Sequence, residues 1–246
     1  MTSFPEEQKI IRIDNYCFDE RFYQKIIDGV KYYQPSVTYI LGCAYPSDFG
    51  LMEWRGDVGN KRAEEILEET SEDGSFVHDA IHKILTGESI SSELISTKFS
   101  PKRSLKIKRC LRSFLDWHKE HKPETIALEE TVWNDAIGAA GTRDFKCKIN
   151  GEVYVIDFKT SKSIRNAHKV QVCAYGLFDK SDHVALLHLG NTTKKGYSFN
   201  VLDAEDREKF TTQFHGANNL FKIMNPNAKP NSEVFPEHFK IETKTK

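Results

Sequence analysis

The 246-residue chain reads as a mixed α/β (α+β) protein: a central sheet flanked by helices, with a helical layer ahead of it. Three observations predict this. Asn150-Gly151 is a strong short hairpin signal and sits between two runs of alternating hydrophobicity. Stretches with helical periodicity precede that hairpin, and one follows it before two further apolar β-type runs. The composition, 39% hydrophobic and 29% charged, is that of a globular chain rather than a disordered one.

Taken in order, residues 35–43 (PSVTYILGC) are read as a short helix capped by Ser36, although their β-branched content also permits a strand. Trp54 to Thr70 has helical composition, with Gly74 as its expected break and a second helix over Ser75–Leu85. That second helix carries the stripe Val77, Ile81, Ile84 and Leu85, with His78 and His82 alongside. Ser100 and Pro101 open a helix that runs to about Lys119 and is closed by Pro123. Its apolar positions are Leu105, Ile107, Leu111, Phe114 and Leu115. Its basic run, Lys102, Arg103, Lys106, Arg109 and Arg112, suits either a solvated face or a phosphate-tracking groove.

A strand over Thr125–Val132 precedes the hairpin, and a helix over Ala167–Phe178 follows it. Strands over His183–Leu189 and Tyr197–Leu202 and a helix over Ala204–Ile223 complete the pattern. The expected organisation is a single domain over residues 1–230, helical over 1–122 with a core over 123–224. Residues 225–246 form the expected tail.

A two-residue turn at Asn150-Gly151 pairs Ile149 with Glu152 and brings Asp144 opposite Asp157. The same register sends Phe145, Cys147, Ile149, Tyr154, Ile156 and Phe158 to an apolar face, leaving Asp144, Asp157 and Lys159 on the other, half-wet face. Facing carboxylates repel, so they need compensation. A divalent cation with oxygen ligands, Mg²⁺ or Mn²⁺, is the simplest source, and two carboxylates and a lysine around such an ion suit phosphodiester cleavage. The plain alternative is a pair of solvated acids screened by Lys159.

No apolar run is long enough to span a membrane, and Met1–Lys9 lacks a basic start followed by an apolar stretch, so a soluble, cytoplasmic protein is expected. The net charge of −1 neither favours nor excludes nucleic acid. Cys17, Cys43, Cys110, Cys147 and Cys173 are odd in number and widely spaced, which predicts buried free thiols and supports no zinc or iron–sulfur site.

Further along, Gln171 and Tyr175 share a helix face. Gly74-x-x-x-His78, Ala127-Leu128-Glu129, Gly141-x-x-Asp144, Asp157-Phe158-Lys159-Thr160-Ser161 and Gln171-x-x-x-Tyr175, in that order, resemble the PD-(D/E)XK nucleases. The likeness is to the RecB-like branch, which includes exonucleases of mitochondrial genome maintenance and of phages, and it covers residues 36–200. Arg143 stands where that family often has proline, and no cysteine follows Cys173, which excludes the branch's iron–sulfur subgroup.

The resemblance implies a restriction-endonuclease-like core with His78, Asp144, Asp157 and the Phe158 carbonyl around Mg²⁺ or Mn²⁺. It further implies that Lys159 activates or orients water, that Gln171 and Tyr175 orient the site and touch substrate, and that Thr160, Ser161 and Lys162 meet phosphate. Arg143 is a further candidate DNA contact, and Trp54 is either core or a base-stacking platform. Glu129 either braces the site or faces solvent. The expected activity is exonucleolytic cleavage of single-stranded DNA ends in replication, recombination or repair, in a bacterial or phage-infected cell and alongside unidentified partner proteins. Two alternatives stand: a catalytically silent DNA-binding or assembly protein of the same fold, and a zinc metalloprotease through His78-Asp79-Ala80-Ile81-His82.

Overall fold

The computed structural model describes residues 9–15, 20–46 and 49–231. Cys17 and the part of the expected tail beyond Asn231 lie outside the described residues. The chain opens with a three-stranded antiparallel sheet, β1 (Ile10–Asn15), β2 (Glu20–Ile27) and β3 (Val30–Pro35). The helical layer expected over 1–122 therefore begins only after Pro35. β2 and β3 are joined by Asp28-Gly29, both at positive φ, the backbone that a tight hairpin turn demands.

Ser36 caps α1 (Val37–Ala44), its hydroxyl accepting from the Tyr39 N–H, as the sequence suggested. α2 (Phe49–Val58) leads to α3 (Asn60–Leu85), a single helix that runs through Gly74 without breaking there. A glycine costs a helix interior only about 1 kcal/mol, which the packing of Val77, Ala80 and Ile81 on either side of His78 outweighs. The short α4 (Ser92–Lys98), unanticipated from the sequence, is followed by α5 (Pro101–His121). On α5, Ile107, Leu111 and Phe114 are buried as expected, but Leu105 and Leu115 face solvent, and Cys110 and Trp117 complete the buried stripe instead.

The second sheet is ordered β4 (Glu124–Asn134), β5 (Ala139–Ile149), β6 (Glu152–Lys159), β7 (His183–Leu189), β8 (Tyr197–Val201). Every pairing is antiparallel except β6 with β7, which α6 (Asn166–Tyr175) connects as a crossover. α7 (Ala204–Met224) closes the described chain, capped by Asp203. Asn150 and Gly151 both adopt positive φ, and the pairs from Ile149–Glu152 to Phe145–Ile156 follow the register read from the sequence.

Both faces of this sheet are covered. Phe145, Cys147, Ile156 and Phe158 pack with Leu187 against α3 and α5. Val155, Val184 and Leu186 pack against Val37 and Ile40 of α1, Val170 and Val172 of α6, and Phe210, Phe214 and Phe221 of α7. The second face of the hairpin is thus not half-wet, because three helices bury it and Asp157 with it. Cys110, Cys147 and Cys173 are buried free thiols, whereas Cys43 is exposed. Among the described residues, no helix is long and apolar enough to cross a membrane.

Candidate active site

The two strands of the hairpin bring Asp144 and Asp157 to one locus, and the elements on either side supply its other groups. Asp144 lies one residue beyond the last hydrogen-bonded pair, and its Oδ2 accepts the Phe158 N–H at 2.8 Å. Its other oxygen lies 3.4 Å from Nδ1 of His78, which α3 presents. Burial would raise the Asp144 carboxyl, but His78 and Lys159 outweigh it and hold the group below the ordinary carboxylate range. Burial likewise opposes charge on His78, and Asp144 overcomes it, raising the imidazole above its ordinary value.

Asp157 behaves differently. It is only 2% exposed, and its carboxyl is pushed up to about 6 by burial and by Asp144, against the opposing pull of Lys159. The Lys159 ammonium pairs with the buried Oδ2 of Asp157 at 2.6 Å. Lys159 also donates to Gln171 Oε1 at 3.0 Å. Gln171 in turn hydrogen-bonds Tyr175, whose phenol burial holds far above its ordinary range. The polar chain therefore runs Tyr175, Gln171, Lys159, Asp157, Asp144, His78, and crosses from α6 through the hairpin to α3.

Two glycines permit this approach. A β-carbon at Gly141 would stand 2.6 Å from Cε1 of Tyr175, so the ring that anchors Gln171 needs a bare backbone on β5. A β-carbon at Gly74 would meet Thr160 Oγ1 at 3.3 Å, so the unbroken α3 passes close beside the loop that follows Lys159. Gly74 thus marks a close contact and not a helix end.

Beside His78 a narrow slot is lined by His82, Leu128, Glu129, Asp144 and Phe158. Glu129 falls opposite Asp144 at a gap in the β4–β5 ladder and carries φ of 44°, a left-handed conformation that is uncommon and costly for a side-chain-bearing residue. The sequence identified Glu129 as a residue of the region, but nothing local announces its backbone. His82 follows from His78 by helical spacing.

Several expected residues are elsewhere. Arg143 is 1% exposed, and its guanidinium pairs with Glu130 and, at 2.8 and 2.7 Å, with both oxygens of Asp179. It ties β5 to β4 and to the segment after α6, so it offers no surface to a nucleic acid. Trp54 is half-buried on α2, whose main packing partner is α3. Tyr175 joins the polar chain through Gln171 but is itself buried. Thr160, Ser161 and Lys162 line an open polar groove that starts where β6 ends.

Among the described residues, no three His, Cys, Asp or Glu side chains are already gathered as metal ligands. His78, Asp144 and Asp157 are tied instead to one another and to Lys159. Their chemistry nonetheless fits a hard divalent cation: two converging carboxylates, one of them buried, and an imidazole beside them. Phe158, whose carbonyl the family resemblance added to this set, lies between Asp157 and Lys159 with its ring buried.

The sequence matches no family model and no curated protein. The solved structure of SSO0001 covers 72% of this chain and 82% of its own at 13% identity, with a TM-score of 0.31. A likeness at that level says nothing of function.

Proposed function

We propose that the protein is a metal-dependent nuclease of the PD-(D/E)XK type, RecB-like in its motifs, that hydrolyses phosphodiester bonds in DNA and acts as an exonuclease on single-stranded ends. The observation that carries this reading is the buried Asp157. A buried carboxyl raised to about 6 sits between a second carboxylate and a lysine 2.6 Å away, an arrangement that costs stability and so points to use. His78, Asp144, Asp157 and the Phe158 carbonyl would hold Mg²⁺ or Mn²⁺, which when bound supplies positive charge at the scissile phosphate.

The chain's own groups then have distinct tasks. Lys159, held by Gln171, keeps an ammonium beside the reacting region, where it orients the attacking water and stabilises charge that develops on phosphate. Tyr175 fixes Gln171 from behind. Asp144, tethered to the Phe158 N–H, keeps both strand ends in register. The zinc-protease alternative gains nothing from this geometry, since Asp79, which would have to act as its base, is exposed and outside the slot.

The test is incubation with 5′- and 3′-labelled single-stranded and duplex DNA in Mg²⁺, Mn²⁺ or EDTA. Metal-dependent cleavage that Asp144→Ala abolishes supports the reading. DNA bound but intact under every condition would replace it with a binding protein.

A further inference from the structure

The groove that begins at Thr160 extends well beyond Thr160, Ser161 and Lys162. It encloses about 600 Å³ between the 160–164 loop, Lys106 of α5 and the turn joining β7 to β8. Its lining is rich in hydroxyls and amides, holds two lysines, Lys106 and Lys162, and contains no carboxylate. Such a surface offers hydrogen-bond donors and positive charge to an anion.

The groove is also built in advance. Buried His188 lies opposite Lys159 on β7 and bonds the Ser161 carbonyl through Nε2 at 2.6 Å, which holds the 160–164 loop to the sheet. Across from it, Asn191 Oδ1 accepts from the Thr193 N–H at 3.0 Å and the Thr193 hydroxyl at 2.6 Å, shaping the turn as a fixed wall. Lys106 is only loosely held, 3.4 Å from Asp73, whose other oxygen Arg103 already binds at 2.7 Å, so Lys106 can turn outward without stranding that buried acid.

We propose that this groove carries the phosphodiester backbone of the strand running away from the scissile bond, with Lys106 and Lys162 each meeting a phosphate and the β7–β8 turn guiding the chain. The proposal rests on the nuclease reading and extends it to Lys106, one member of the basic run on α5, and to the 191–193 turn, which no motif marks.

The test measures the affinity of the full chain for a fluorescent single-stranded 20-mer in EDTA across a NaCl series. Wild type is compared with the double variant Lys106→Gln/Lys162→Gln and with Lys83→Gln, an exposed lysine on the far part of α3. Loss of two phosphate contacts lowers the slope of log K against log salt by about 1.4, and affinity should fall about tenfold or more at 0.1 M salt. Thr192→Glu, an exposed position in the turn, should weaken binding too. If the double variant and Thr192→Glu bind as Lys83→Gln does, the groove is not the strand's path, whatever the cleavage result. If wild type shows this binding pattern but cuts nothing in Mn²⁺, the groove assignment holds and the nuclease reading alone fails.

Discussion

Gly141→Ala should damage both the fold and the site. The added carbon would lie 2.6 Å from Tyr175 Cε1, and an ordinary carbon contact needs about 3.5 Å, so the ring must retreat by roughly 0.9 Å. It has little room to do so, because it is packed in the core with Val172 and Ala174 and meets the Phe178 ring at 6.3 Å. Overpacking of this kind costs about 1–3 kcal/mol. A retreat of Tyr175 also pulls on Gln171 and hence on the ammonium of Lys159, and a displacement near 1 Å in a positioned group can lower turnover by roughly a hundredfold. The assay pairs urea unfolding with single-turnover cleavage, and repeats both with Tyr175→Leu alone and in combination. The combination should show a coupling of about 1 kcal/mol or more, since the smaller side chain makes room for the methyl. Gly74→Ala is the internal control: its new carbon meets only a rotatable threonine hydroxyl at 3.3 Å, and the helix gains from alanine, so stability should hold or rise. A Gly141→Ala protein with wild-type stability and turnover would refute the argument that this glycine exists to admit Tyr175.

Other expected outcomes are as direct. Arg143→Met should destabilise by about 1–3 kcal/mol, less than a fully buried pair would lose because Glu130 and Asp179 can reach water, and should leave DNA affinity unchanged once folded. A selective loss of affinity would restore it as a DNA contact. Glu129→Gly removes a left-handed side-chain residue and should raise the thermal midpoint by about 2–4 °C while lowering cleavage, which separates strain from use. His168 is pushed down to about 3 by burial, then by Lys159 and Arg165, so the fold binds its proton less well than the unfolded chain does. Its contribution is therefore fully present above pH 6.5 and is lost as pH falls toward 3, at up to about 1.4 kcal/mol per pH unit. Urea midpoints at pH 7 and pH 5 should show His168→Gln less acid-sensitive than wild type, and equal sensitivity would contradict the assignment.

What could be read from the sequence was whatever local chemistry enforces. Asn150-Gly151 dictates a turn, and from the turn follow the register, the apolar face and the meeting of Asp144 with Asp157. Ser36, Pro101 and Pro123 mark helix limits for equally local reasons. The same turn grammar stood unread in Asp28-Gly29, which joins β2 to β3 and could have revealed the first sheet. Gly74 misled because a glycine in a helical stretch signals either a break or a close neighbour, and the neighbour, Thr160, is 86 residues away in the chain. Arg143 misled similarly: a basic residue beside Asp144 looks available until Asp179, brought near only by the fold, is seen to hold it. The positive φ of Glu129 and the enclosure of the groove by Lys106 depend on strands and helices meeting at a distance, and no spacing rule reports them.

The most direct test of the central claim is cleavage of end-labelled single-stranded DNA in Mn²⁺ by wild type and by folded Lys159→Ala. Metal-dependent loss of label in wild type, falling by a factor of about a hundred or more in the variant while DNA binding persists, is the predicted result. Full activity in Lys159→Ala would contradict the role given to the chain of groups from Tyr175 to His78.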